Sequence, residues 1–397
     1  PNKNLFSHII GNVDVDQKGV SGVELFLDEE IKNKAKIDEP IILSVDQNIQ
    51  FIIRETLKES MRVFDAKGAS GILLDAQSGK VLSMISLPDY NPNNRRELAN
   101  KKYLFNKNTK GLYELGSIFK TFVIANALEK KIVTRDKIYK NLPKEVKCGK
   151  FPIREYNYSL DKKNLTVNDI LVESSNIGTI RIIQESGLDS YRKFLENLEI
   201  FNYSKIELPE VSASTKKRWG KCNTLTAGYG HGINTTPIQL TRAFAAIING
   251  GYLFDVSLLK NKDPKFKSKI ISKKNSETMR KILRTNVDKN YTRGGSGRKA
   301  DIKGYNVMGK TGTAEKPLKL SRGYSNEILN IFTSAFEVNK KFYVLTVVID
   351  EPKGSKKLWG HNRREAGWNA GYVNGQIIEK IGPILNTLKL DEYVKLN

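Results

Sequence analysis

Apolar residues change their spacing several times along this chain, and each change marks an element. Residues 47–66 carry them at helical spacing: Ile49, Ile52, Ile53, Leu57, Met61 and Phe64 share one side, behind Asp46 as N-cap. Just upstream, Ile41-Ile42-Leu43-Ser44-Val45 predicts a short strand. Residues 71–75 and 80–87 flank the turn Ala76-Gln77-Ser78-Gly79 and predict a hairpin. Helical patterns dominate from about 115 to 250: Thr166 caps one helix through Ile170, Leu171 and Val172, and residues 235–249 predict another that stops at Gly250-Gly251. Strand patterns return at 307–313, 328–336 and 342–350, before a last helix over 373–388. Strands at both ends of the sequence, joined by short connections, predict an antiparallel sheet whose faces apolar helices cover, an α/β (α+β) class. Residues 1–38, punctuated by Gly11, Gly19 and Gly22, hold too few apolar groups for a core of their own; residues 39–397, opening on Glu39-Pro40, form the main domain.

One apolar run is not amphipathic. Ile118, Phe119, Phe122, Val123, Ile124, Ala125, Ala127 and Leu128 leave almost no polar side, so this helix is expected to be buried. Ser117, after Gly116, falls at its first turn, where free backbone N–H groups favour developing negative charge. Lys120 lies one turn on, on the same face. A hydroxyl and an amine held together on a rigid helix are the parts of an activated serine nucleophile, although S-x-x-K alone equally describes a capping serine and a solvated lysine. In Glu173-Ser174-Ser175-Asn176, a hydroxyl and an amide two residues apart can face a cleft or simply cap a turn. In Gly309-Lys310-Thr311-Gly312-Thr313, a strand would put Thr311 and Thr313 on one face, and Gly312 would let another segment lie close. Residues 304–311 also meet the bare pattern of a nucleotide phosphate loop. Val307 and Met308 inside that loop, and Gly312 where its helix should begin, argue against ATP or GTP binding.

Composition narrows the partners. The 397 residues are 39% apolar, enough for one large domain or two, with net charge +23 and pI near 9.7. Such a charge suits nucleic acid, anionic lipid or an anionic polymer. The cations are dispersed in short runs such as Lys101-Lys102, Lys216-Lys217-Arg218 and Lys273-Lys274, and no zinc-ligand spacing or aromatic-basic RNA motif is present. Most of the charge therefore reads as solvated surface, with no nucleic-acid partner. Cys148 and Cys222 fit one disulfide or two free thiols, and neither sits in C-x-x-C. No stretch is long and apolar enough to span a bilayer, and no signal peptide is visible. The chain opens on Pro1, so it is expected to be a piece of a longer protein, which leaves room for an anchor outside this stretch.

S-x-x-K, S-x-N and K-T-G in this order resemble the penicillin-binding proteins and serine β-lactamases. Residues 113–120, 173–178, 228–232 with 236–240, 310–316 and 348–352 are similar to class B penicillin-binding proteins, and residues 7–11 and 19–24 to the end of their non-catalytic pedestal domain. Within the family the chain looks most like the division-specific, FtsI-type D,D-transpeptidases of Gram-negative bacteria. The resemblance implies the transpeptidase fold, with a helical subdomain and a pedestal remnant. It implies an acyl-enzyme on Ser117, with Lys120 as base, Ser174 as proton relay, Asn176, Lys310, Thr311, Gly312 and Thr313 on the substrate, and the N–H groups of Ser117 and Thr313 as oxyanion hole. The implied substrates are D-Ala-D-Ala stem peptides and β-lactams, without metal or organic cofactor. The implied partners are a membrane glycosyltransferase and other division proteins at the inner membrane, with the catalytic domain in the periplasm. Leu115 stands where many relatives have Pro, and Glu315 where many have Gln.

Rival readings are an elongation-type relative, a D,D-carboxypeptidase, a β-lactamase, a Ser-His-Asp hydrolase and a non-catalytic division scaffold. No clear E-x-x-L-N follows Asn176, as efficient deacylation would favour, and the pedestal-like start also opposes a β-lactamase. His8, His231 and His361 lack triad context, and His231 reads as a structural residue of a glycine-rich stretch.

Overall fold

The expected hairpin forms as Gly68–Asp75 (β1) and Val81–Leu87 (β2), and the three late strands form as Met308–Pro317 (β3), Tyr324–Val338 (β4) and Lys341–Asp350 (β5). In the computed structural model, which describes residues 3–37, 39–149, 151–156, 158–214, 219–318 and 323–388, they join in one antiparallel sheet. Its order is β2-β1-β5-β4-β3, so the two ends of the sequence meet where Leu73 lies opposite Leu345. β3, which carries Lys310 to Thr313, is an edge strand.

The helices that build the layers and the site are Gln47–Val63 (α1), Phe119–Glu129 (α2), Val167–Val172 (α3), Asn176–Ser186 (α4), Leu188–Asn197 (α5), Lys221–Ala227 (α6), Pro237–Ile248 (α7), Lys273–Val287 (α8) and Ala370–Thr387 (α9). The two-residue period of the strands divides the core. Leu73, Leu345, Val347, Phe332 and Phe336 join the cluster of α1 and α9, while Ile72, Val344, Val348 and Ile331 join that of α2, α4 and α7. Helices thus cover both faces, as expected. Ile49, Ile53 and Leu57 of α1 are fully buried, each contributing roughly 1.5–3 kcal/mol.

The capping residues stand where the sequence puts them. Asp46 accepts from Ile49 N–H at 2.9 Å and Thr166 from Asp169 N–H at 3.0 Å. The helix expected over 235–249 starts at Pro237, behind Thr236 as cap, because a first-turn proline lacks only an N–H that would be unpaired anyway. Residues 41–45 do not form the expected strand. Their partner is a loop, and the pairing stops at Ser44 N–H to Leu258 O (2.7 Å) and Lys260 N–H to Ile42 O (2.9 Å) around the bridge Leu43–Leu259. The phosphate-loop alternative also fails: Thr311 lies in mid-strand, where the loop's helix would have to begin. The run Lys216–Arg218 lies outside the described residues.

The cysteines pair. Cys148–Cys222, with a Cα–Cα distance of 5.6 Å, ties the hairpin Glu145–Cys148/Phe151–Arg154 to α6. The first residues lie on the main body: His8 Nε2 donates to Tyr103 O at 2.7 Å, Tyr90 Oη to Ser7 O at 2.9 Å, and Ile9 and Val23 join the core. Among the described residues no helix is long and apolar enough to cross a membrane.

Candidate active site

Ser117 occupies the short turn Gly116–Ile118 that leads into α2. Backbone contacts without room for a side chain fix this turn. Gly116 has φ +59°, and a Cβ on it would come within 2.7 Å of Thr313 O. A Cβ at Gly312 would come within 2.2 Å of Leu115 O, which is the close approach expected of that glycine. On the other side Tyr113 and Thr235 exchange backbone hydrogen bonds, both of 3.0 Å. The half-buried Ser117 is thus clamped between β3 and the segment before α7.

α2 is buried along Phe119 to Leu128, as its pattern demands, and Lys120 is buried with it. Ser174 joins α3 to α4 with φ +54°, a conformation that costs a non-glycine residue roughly 1 kcal/mol. The bonds Ser174 N–H to Leu171 O (3.1 Å) and Ser175 N–H to Ile170 O (2.9 Å) hold it there. Its hydroxyl lies 3.1 Å from Lys120 Nζ and 3.0 Å from Lys310 Nζ, and Lys120 Nζ also donates to Ser174 O. Lys310 is fully buried. Burial, and then the charge of Lys310, hold the Lys120 amine well below the ordinary lysine range, while the Glu155 carboxylate opposes them. Burial brings Lys310 down to about 7.

S-x-x-K, S-x-N and K-T-G therefore converge through three side chains. Among the described residues no hydrogen bond joins Ser117 Oγ to either lysine, and the Asn176 amide donates to Arg154 O at 3.0 Å. Catalytic hydrogen bonds of this kind often tighten only when substrate binds. Thr311 Oγ1 and Ser296 Oγ lie 2.6 Å apart, and exposed Thr313 donates to Asn330 Oδ1 at 3.0 Å. His8 is buried beside Tyr103, His231 lies 3.7 Å from Glu114 and 5.1 Å from the Tyr324 ring, and His361 meets Trp368 edge-on, so none hydrogen-bonds to Ser117.

Sequence reading missed Glu155. This buried carboxylate, just past the small hairpin, accepts from Ser175 Oγ (2.6 Å), Asn176 N–H (2.9 Å) and Ile177 N–H (3.2 Å), so it caps α4 from outside and holds the S-x-N turn. No local signal marks it, because its partners are brought to it by the tertiary fold. Ser296 was missed for the same reason.

The chain matches the penicillin binding protein transpeptidase domain over residues 69–367. It is 31% identical to the probable peptidoglycan D,D-transpeptidase FtsI of Caulobacter vibrioides, covering 98% of this chain and 66% of that one. It is 32% identical to the peptidoglycan D,D-transpeptidase FtsI of Buchnera aphidicola, covering 98% and 70%. Among solved structures, apo penicillin-binding protein 3 of a Mycobacterium superposes with a TM-score of 0.85 at 21% identity, covering all of this chain and 93% of that one, a likeness of fold. The chain spans about two thirds of the length of these curated relatives.

Proposed function

The chain belongs to the penicillin-binding protein transpeptidase family, and on that premise we propose that it is a serine D,D-transpeptidase that cross-links peptidoglycan stem peptides and is acylated by β-lactams. The observation that carries the reading is the meeting of Lys120, Ser174 and Lys310 at one hydroxyl, beside a turn that holds Ser117 against β3.

In this reading Lys120 is neutral and accepts the Ser117 proton as Oγ attacks the carbonyl carbon of the penultimate D-alanine. The N–H groups of Ser117 and Thr313 receive the developing oxyanion. Ser174 passes a proton from Lys120 to the departing D-alanine nitrogen, with Lys310 holding its hydroxyl. Thr311, Thr313 and the Lys310 charge take the terminal carboxylate. Gly312 leaves room for the Ser117 turn, and Asn176 turns from Arg154 O to the substrate amide. An amine on a neighbouring stem peptide then replaces Ser117. Transfer to water instead would make the protein a D,D-carboxypeptidase.

Residues 1–38 serve as the end of a pedestal and 39–397 as the catalytic domain. Likeness to the two FtsI relatives favours a septal role beside a membrane glycosyltransferase and other division proteins. The Cys148–Cys222 bond suits an oxidising compartment and supports a periplasmic domain anchored to the inner membrane. The test is release of D-alanine from a stem pentapeptide, together with a cross-linked product identified by mass. Release with cross-linking is expected; release with hydrolysis alone makes it a carboxypeptidase, and release by Ser117→Ala overturns the assignment of the nucleophile.

A further inference from the structure

Beside Thr311 the surface opens into a cavity of about 450 Å³ lined by Lys289, Ser296, Arg298, Lys299, Arg363 and Trp368. The Ser296–Thr311 hydroxyl contact of 2.6 Å fixes its place next to the site. The wall carries four cations and no carboxylate. Lys299 Nζ is held over the rings of Trp359 and Trp368, 4.5 and 4.9 Å from their centroids, and the Arg363 guanidinium lies 6.0 Å from that of Trp368. Two acids near in sequence are already engaged: Asp288, next to Lys289, accepts from Asn290 N–H at 2.9 Å, and Asp301 pairs with Arg284 at 2.8 Å and accepts from the Lys289 backbone at 3.1 Å. None of the four cations forms an ion pair among the described residues. Like charges around one concavity repel each other, focus a positive field there and favour an anion. The two guanidinium groups offer planar forks of the kind that grip a carboxylate.

We propose that this cavity is the acceptor subsite, taking a second carboxylate, remote from the attacking amine, of the peptide that receives the acyl group. The proposal rests on the transpeptidase reading of Ser117. In that reading the carboxylate of the leaving D-alanine meets Thr311 and Lys310. The nitrogen that attacks the acyl-enzyme occupies the same position in the tetrahedral adduct as the nitrogen that left. Its C–N bond forms, the ester bond to Ser117 breaks, and the proton shed by the amine returns to Ser117 oxygen. The acceptor therefore extends beyond the leaving-group position on the Thr311 side, where Arg298 and Arg363 line the wall.

The test is partition of the acyl-enzyme from a thioester donor ending in D-alanyl-thioglycolate. Two acceptors are compared: D-alanine, whose only carboxylate adjoins its amine, and a tripeptide bearing a further carboxylate. In Arg298→Gln/Arg363→Gln, transfer to the tripeptide is expected to fall on the order of tenfold, through loss of charge-assisted bonds, while transfer to D-alanine and acylation by penicillin stay within about twofold of wild type. Arg298→Glu/Arg363→Glu is expected to widen the gap. Unchanged transfer to the tripeptide in both variants overturns the proposal. So does slower acylation by the donor with unchanged partition, which gives the cavity to the donor strand. A wild-type protein inert to both penicillin and thioester refutes the transpeptidase reading itself, and the proposal with it.

Discussion

Lys120 and Lys310 share one acceptor: their side-chain nitrogens lie 3.1 and 3.0 Å from the hydroxyl of Ser174. Two ammonium ions this close, both buried, repel strongly, so the pair is stable with one charge; burial lowers both amines, and the charge of Lys310 lowers Lys120 as well.

This relationship sets a pH dependence. In the proposed mechanism acylation needs Lys120 neutral and Lys310 charged. kcat/KM for a β-lactam therefore rises as pH climbs through the lowered value of Lys120 and falls as pH passes that of Lys310, about 7. Lys310→Gln removes a charge that lowers Lys120, so the rising limb moves to higher pH, and the rate at its best pH falls roughly 10²–10³-fold. A variant profile superimposable on wild type contradicts the coupling.

Glu155→Gln keeps the shape of the side chain and removes its charge. The three bonds that cap α4 weaken, at a cost on the order of 1–3 kcal/mol in thermal unfolding. Glu155 also holds Lys120 up, so the variant's rising limb moves to lower pH, opposite to that of Lys310→Gln. A shift in the same direction for both variants would sink this account of Glu155.

Gly312→Ala places a methyl carbon 2.2 Å from Leu115 O, so the turn bearing Ser117 must move away from β3. A displacement near 1 Å is expected to slow acylation by roughly 10²-fold or more. Overpacking costs stability about 1–3 kcal/mol, which leaves the protein folded. Stopped-flow acylation and urea unfolding separate the two effects; a large loss of stability with normal acylation of the folded fraction contradicts the placement of the turn.

His8 links the first residues to pH. Burial brings its imidazole from 6.5 down to about 4. Between those values the unfolded chain binds a proton that the folded chain refuses. Stability therefore falls as pH drops from 6.5 to about 4, by roughly 3 kcal/mol, and this contribution does not change further below that. His8→Gln, which does not titrate, is expected to flatten this part of the urea-unfolding profile, and an unaltered slope assigns the acid sensitivity elsewhere.

Much of this arrangement is legible in the sequence because local rules dictate it. The all-round apolar pattern after Ser117 demands a buried helix, Asp46 and Thr166 announce the helices they cap, and the two-residue period puts Thr311 and Thr313 on one strand. Contacts made only by tertiary structure stay hidden. Residues 41–45 have strand composition but meet a loop. Cys148 and Cys222, 74 residues apart, carry no spacing that reveals their bond. Glu155 reaches α4 from a separate hairpin, and the cationic cavity gathers residues from before β3 and after β5.

The central claim is that Ser117 is the nucleophile. Intact-mass spectrometry after incubation with a penicillin, on wild type and Ser117→Ala, tests it most directly. One stable adduct of the penicillin's mass on wild type, and none on Ser117→Ala, is the predicted result. An adduct on Ser117→Ala, or none on folded wild-type protein, would contradict it.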